Sequence, residues 1–266
     1  MKRGYLFSRG PFGRVKPNDM LKLYFDQAGL NTDRDKYATA QLMYNLQDAR
    51  LLEKMVAIYP MNGGTASAHS LNLVDIAKYK LSFFGGWTHS ATGAKPNGVN
   101  AYADTGLVHG NVVFRQNQNS ANKHLSYYSR TASASTGTMI GLNDGGGVID
   151  WLNVNPIVST LSGRGLLAGS SVSTGLFAVS IVVVDATTPA ILYHDGATLD
   201  MAPGFSPGGD STDTYYIAAS HHLGVAAFFS ECECAFASIG LGMDITELKA
   251  LDKIVQQYQT TKERAI

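Results

Sequence analysis

The sequence predicts a mainly β protein, a two-sheet sandwich or jelly roll with helices at both ends. Three observations carry this. Between residues 75 and 242, short runs rich in β-branched and aromatic residues are separated by clusters of Gly, Asn, Asp, Ser and Pro, with no helical pattern between them. Apolar stripes at helical spacing occur only before and after that region. Charged residues are 16% of the chain, hydrophobic residues 45%, and glycines number 28. That composition suits stacked sheets and buried subunit surfaces and argues against disorder.

Residues 1–61 read as a basic N-terminal arm followed by a helical anchor. In the arm, MKRGYLFSRGPFGRVK, Lys2, Arg3, Arg9, Arg14 and Lys16 are interleaved with Tyr5, Phe7 and Phe12, and no acid occurs. Pro17-Asn18-Asp19 is a helix start and Gly29 a stop. A second helix is expected from Asp33 to Ile58. There Leu42, Leu46, Ala49, Leu52, Val56 and Tyr59 recur at three and four, and Met43, Leu51, Met55 and Ile58 widen the stripe. Pro60 and Gly63-Gly64 end it.

Residues 75–242 form the sandwich. Its candidate strands are KYKLSFF, VNAYAD, NVVF, LSYYSR, TMIGL, GVIDWL, LFAVSIVVVD, AILYHD, TYYIAAS and AAFFSECECAFASI. Residues 243–266 form a C-terminal helix packing on it. Asp244 with Glu247 fits a capping box with Asp in place of the usual Ser or Thr. Leu248, Leu251, Ile254, Val255 and Tyr258 give the stripe. No repeat at a fixed period occurs, which disfavours solenoids and propellers.

Net charge is zero, but its distribution is uneven: between Arg164 and Lys249 there are nine acids and no Lys or Arg. The arm is read as a solvated basic segment or as one that docks on an acidic neighbour, such as a second copy of the chain. Its charges and aromatics alone are insufficient for nucleic acid. No apolar run is long enough to span a bilayer, and Gly, Pro and Arg interrupt any signal-like N-terminus. Cys232 and Cys234 are too few for a disulfide framework, so packed, reduced thiols and cytoplasmic synthesis are expected.

The search for chemistry gives little. Glu231 and Glu233 alternate, about 7 Å apart if in a strand, a separation glycosidases use. The third acid that jelly-roll glucanases carry on that strand is replaced by Phe236, so the pair is expected to face solvent while the cysteines face the core. The seven histidines show no i, i+4 pair on a helix, and His221 and His222 point to opposite faces of a strand. No metal and no cofactor are expected from these. Calcium stays open at Asp104, Asp144, Asp195, Asp210 and Asp213, although NDGGG and YHDG are first of all turn sequences. Neither a G-x-S-x-G elbow nor a phosphate-binding loop occurs.

LSFFGGWTHSATGAKPNGVNAYADTGL (81–107) resembles a segment of concanavalin A-like (laminin G-like) jelly-roll proteins of tailed bacteriophages, notably phages and prophages of Bacteroidota. LEKMVAIYPMNGGTASAHSLNLVD (52–75), SYYSRT (126–131) and CAFASIGLGMDITELKALDKIVQQYQTT (234–261) resemble other parts of the same proteins in the same order, and AILYHDGATL resembles a laminin-type strand and turn. The likeness runs from about residue 40 to 264. Residues 1–17 and the Glu-Cys-Glu before Cys234 lie outside it. It implies a concanavalin A-like jelly-roll virion protein, made in the host cytoplasm: a capsid decoration, head fibre or tail component. Its partners would be other virion proteins and copies of itself. Such folds often bind glycans or protein and are rarely enzymes. No binding residue is carried over.

Residues 85–106 are then read as a sheet crossover. Gly85-Gly86 permits a bend, Trp87 is an apolar plug with its N–H satisfied, Pro96-Asn97-Gly98 is a turn, and Ala101 and Ala103 share a strand face. The functional alternative makes Trp87, His89 and Tyr102 a sugar platform. Structural assembly through the arm is the leading function, recognition of a host surface glycan the second, and a polysaccharide depolymerase the weakest.

Overall fold

The computed structural model describes residues 17–110, 122–133, 136–146, 148–154, 157–161, 164–168, 174–182, 189–202 and 211–266. The basic arm, the expected strand NVVF and Asp210 lie outside these residues.

The fold class is the predicted one, a mainly β sandwich of two sheets with helices near both ends. Strands are numbered along the chain. The first sheet has the order β13 (Ala197–Ala202), β12 (Ala190–His194), β11 (Gly175–Val182), β6 (Asn122–Ser129), β17 (Cys234–Gly240), β4 (Ala94–Pro96), β3 (Trp87–His89); β1 (Met55–Tyr59) also pairs with β17. The second has the order β10 (Arg164–Ala168), β9 (Ile157–Leu161), β8 (Ile149–Val154), β7 (Gly137–Asn143), β14 (Thr214–Ile217), β5 (Tyr102–Val108), β2 (Ser82–Phe84). A hairpin of β15 (Ser220–His222) and β16 (Val225–Ala227) folds back along β7, with Ser220 to His222 in parallel register with Gly141 to Asn143.

The central strands of the first sheet are buried on both faces. Leu125, Tyr127, Phe177, Val179 and Ile239 meet Ala103, Leu107, Ile140, Leu152 and Ile217 of the second sheet in the inter-sheet core. Tyr128, Leu176, Ala178, Tyr193 and Phe236 point the other way, under α1 (Pro17–Gln27), α2 (Asp33–Asp48) and α4 (Ile245–Thr261). Successive residues therefore serve two apolar layers, which is why these strands read as unbroken apolar runs. In the second sheet β5 alternates: Ala103, Thr105 and Leu107 are buried and Tyr102, Asp104 and Val108 half-buried.

The C-terminal helix starts as expected. Asp244 Oδ1 accepts the Glu247 N–H at 2.8 Å and Glu247 Oε2 accepts the Asp244 N–H at 2.9 Å. Its stripe of Leu248, Leu251, Ile254, Val255 and Tyr258 is buried.

The expected helix from Asp33 to Ile58 is corrected. α2 stops at Asp48, Arg50 takes φ of 58°, Leu52–Lys54 is a 3-10 turn, and Met55–Tyr59 is strand β1 antiparallel to β17. All five residues of MVAIY are buried, Val56, Ala57 and Tyr59 in the inter-sheet core and Met55 and Ile58 under the helices. A short run that is apolar at every position has no period to separate strand from helix. The 1–61 segment is thus no purely helical anchor; it gives a strand to the sandwich.

Candidate functional site

Residues 85–106 cross between the sheets twice. Gly85 and Gly86 lead from β2 in the second sheet to β3 in the first, and residues 97–101 lead back to β5. Gly85 has φ of 74°, and a Cβ there would stand 2.1 Å from the Asn100 carbonyl oxygen, so only glycine fits. The Asn97 Oδ1 accepts the N–H groups of Val99, Asn100 and Ala101 and closes the return turn. The Trp87 Nε1–H donates to the carbonyls of Phe84 at 3.0 Å and Tyr102 at 3.3 Å, as expected of a satisfied plug.

The three residues of the expected platform are split between two faces. Trp87 and His89 pack on the inner side: the Phe83 ring meets both edge-on, at 5.1 Å and 4.7 Å between centroids. The His89 Nδ1 lies 2.9 Å from the Nδ1 of His69, which sits on α3 (Ala66–His69), so one ring donates to the other. Burial pushes the His69 imidazole down to about 3, with the neighbouring His89 adding to the effect. Tyr102 belongs to the other side of the strands, because Phe84 points opposite to Phe83.

On that outer face a row of rings crosses the second sheet. Phe84 and Tyr102 stack at 4.8 Å and 14°, Tyr102 and Tyr216 at 4.7 Å and 29°, and Tyr216 and His221 at 4.3 Å and 1°. Strand pairing builds the row: Phe84 is the register partner of Tyr102, and Asp104 is that of both Ser82 and Tyr216. The His221 Nδ1–H donates to the Thr214 carbonyl at 3.0 Å, and its Nε2 lies 4.0 Å from Asp213 Oδ1. Tyr102 and Tyr216 are each covered by a ring on both sides. Among the described residues Phe84 stands at the sheet edge, 46% exposed, with one neighbouring ring. Burial pushes the Tyr216 phenol up to about 12, helped by the charge of Asp104, then Tyr102 and Asp213.

Sequence reasoning missed Phe84, Tyr216 and His221. The available signal was the doublets Phe83-Phe84, Tyr215-Tyr216 and His221-His222, since adjacent strand residues point to opposite faces. In Tyr127-Tyr128 the outward ring is covered by α4, where the Tyr128 hydroxyl donates to Gln256 Oε1. The second sheet has no such helix on it among the described residues, and along its row exposure rises from buried Tyr216 through half-buried Tyr102 to exposed Phe84.

The Glu231–Glu233 expectation is also corrected. Both precede β17 instead of alternating within it, and only Glu231 is partly exposed. Glu233 is buried; its Oε1 accepts the Thr92 hydroxyl at 2.5 Å, and Arg130 Nη1 lies 3.4 Å from both carboxylate oxygens. Glu231 accepts the Ser133 hydroxyl at 2.9 Å. Burial raises both the Cys232 and Cys234 thiols, which are free and buried as expected.

A buried polar cluster bridges the two sheets. Lys123 Nζ lies 2.5 Å from Asp150 Oδ2 and 2.8 Å from His109 Nε2, and the Tyr215 hydroxyl donates to the same Asp150 oxygen at 2.7 Å. Burial alone would raise the Asp150 carboxyl, but the charge of Lys123 and the contact with His109 hold it well below the usual carboxylate range. Among the described residues no three His, Cys, Asp or Glu converge on a point where a metal could sit. Asp144 Oδ1 accepts the N–H groups of Gly146 and Val148, and Asp195 has φ of 45° beside Gly196, so both are turn residues.

No family model matches the sequence, and no curated protein matches it. Solved structures do. Botulinum neurotoxin type C, whose cell entry depends on interaction with two ganglioside molecules, aligns at 13% identity and a TM-score of 0.54, over 79% of this chain and 53% of that one. This chain therefore spans about half the length of that structure. Domain 4 of AbnA, a GH43 extracellular arabinanase from Geobacillus stearothermophilus in complex with arabinotriose, aligns at 14% identity and a TM-score of 0.44, over 75% of this chain and 98% of the domain. The CBM40 of the Ruminococcus gnavus IT-sialidase bound to α2,3-sialyllactose gives 11%, 0.39, 49% and 81% respectively. The neurotoxin likeness shows a shared fold.

Proposed function

We propose that this protein is a carbohydrate-binding sandwich whose recognition face is the outer face of the second sheet. The carrying observation is the half-exposed ring of Phe84 at the end of the four-ring row. The apolar face of a pyranose stacks on an aromatic face, and a ring already fixed by its neighbours loses little freedom on binding. Tyr102, Tyr216 and His221 hold Phe84 upright, while Ser82 and Asp104 stand beside it as polar groups for sugar hydroxyls. Both acids of the one candidate catalytic pair are engaged by other side chains, which favours binding over hydrolysis.

A glycan array tests the reading. The wild-type protein is expected to bind at least one oligosaccharide class and Phe84→Ala to lose it with an unchanged melting temperature. Equal binding by the variant would refute it.

The setting we propose for the module is the phage virion, as a fibre, tail or capsid decoration built from several copies. This rests on the sequence resemblance. The basic arm with Lys2, Arg3, Arg9, Arg14 and Lys16 would then be the assembly contact. Deleting residues 1–16 is expected to leave the sandwich folded and to stop its incorporation into particles; normal incorporation would contradict the assembly role. Among the described residues no helix is long and apolar enough to cross a membrane.

A further inference from the structure

We infer that the ring row selects uncharged sugars and rejects acidic ones such as sialic and uronic acids; the inference rests on the carbohydrate-binding reading above. The strands that build the row, β2, β5, β14 and β15, contain Asp104 and no Lys or Arg. Lys80, exposed two residues before β2, lies four residues from Phe84, about 13 Å along an extended chain. Asp213 stands just before β14, on His221 at the far end of the row. Asp104 lies one strand in from Phe84 and two residues along, a diagonal neighbour about 7–8 Å away. A sugar on Phe84 therefore meets a carboxylate with its next hydroxyls.

The chemistry of that carboxylate sets the class. Asp104 Oδ1 accepts one N–H, from Gly106, at 2.8 Å. An ionised carboxylate offers about four acceptor positions and no donor, so it suits hydroxyl groups. Hydroxyl-to-carboxylate bonds are charge-assisted and stronger than neutral ones. A sugar carboxylate brought to the same place meets a like charge, which is how interfaces suppress wrong partners. Burial is the main cause of the raised Tyr216 phenol, and the charge of Asp104, then Tyr102 and Asp213, adds to it.

The test is a glycan array followed by titration calorimetry at low salt. Its probes are neutral gluco-, galacto- and manno-oligosaccharides against oligogalacturonate and α2,3-sialyllactose. The expected result is binding confined to neutral probes, with acidic probes at least about tenfold weaker. Asp104→Asn keeps the acceptor for Gly106 and removes the charge; it is expected to weaken neutral-probe binding about tenfold and to narrow the gap to acidic probes. Asp213→Asn is the control that changes charge without touching the Phe84 end. An acidic probe bound as tightly as the neutral ones, and lost in Phe84→Ala, would overturn the charge selection and leave the binding face standing. Binding that ignores Phe84, or no binding to any probe, would overturn both.

Discussion

The imidazole of His221 lies parallel to the phenol of Tyr216, 1° between the rings and 4.3 Å between their centroids. This pair joins the β15–β16 hairpin to the sheet it folds back on. Beside it, Gly141 leaves the room the hairpin needs: a Cβ there would lie 2.5 Å from Thr138 Cγ2, 3.1 Å from Trp151 Cβ and 3.3 Å from Ser220 Cβ. Tyr216 is thus the keystone between the hairpin on one side and Tyr102 and Phe84 on the other.

Removing that ring leaves Tyr102 and His221 without a stacking partner between them. Tyr216→Ala is expected to destabilise the fold by about 3 kcal/mol, in line with truncation of buried aromatics. Tyr216→Phe keeps the ring and is expected to cost under about 1 kcal/mol. Urea unfolding of the two variants checks this; equal losses would mean that the hydroxyl, and not the stack, matters.

Buried histidines make stability depend on pH. His124 donates from Nδ1 to the Leu241 carbonyl at 2.7 Å and accepts the Ser238 hydroxyl at Nε2, so it is held neutral. Burial pushes it down to about 4 and His69 to about 3, from an ordinary 6.5. The unfolded chain takes up these protons near 6.5 and the folded chain does not, so stability is full above that pH and falls as pH drops toward 4 and then 3. His124 alone contributes on the order of 3 kcal/mol to that loss. His124→Gln is expected to flatten the slope of unfolding free energy against pH between 4 and 6.5 by about one proton. An unchanged slope would contradict the assignment.

The Lys123–Asp150 pair ties the two sheets together in a dry setting. Lys123→Met leaves the Asp150 charge buried without its cation and is expected to cost about 3–5 kcal/mol. Calorimetric melting measures it. A loss below about 1 kcal/mol, the range of surface pairs, would show that water reaches the cluster.

Much of the fold was legible because local signals agreed with tertiary roles. The Asp244–Glu247 cap, the α4 stripe, the Gly85 bend and the Trp87 plug each follow from residue chemistry and its immediate neighbours. β1 was not legible, since MVAIY is apolar at every position and the layers that bury its two sides are distant in sequence. Glu233 was misread because its partners, Thr92 and Arg130, come from other elements. The ring row was half legible. Tyr102 was singled out on its alternating strand, but its grouping with Trp87 and His89 followed closeness along the chain. Whether an outward ring is covered depends on where the helices pack, and among the described residues they pack on the first sheet.

The most direct measurement compares the two faces in one titration. Wild-type protein, Phe84→Ala and His89→Leu are titrated with an oligosaccharide found on the array, with melting curves to confirm folding. The outer-face account predicts that Phe84→Ala abolishes binding while His89→Leu, at a ring that packs inward on Phe83, leaves the affinity unchanged. Binding that survives in Phe84→Ala and disappears in His89→Leu would contradict it.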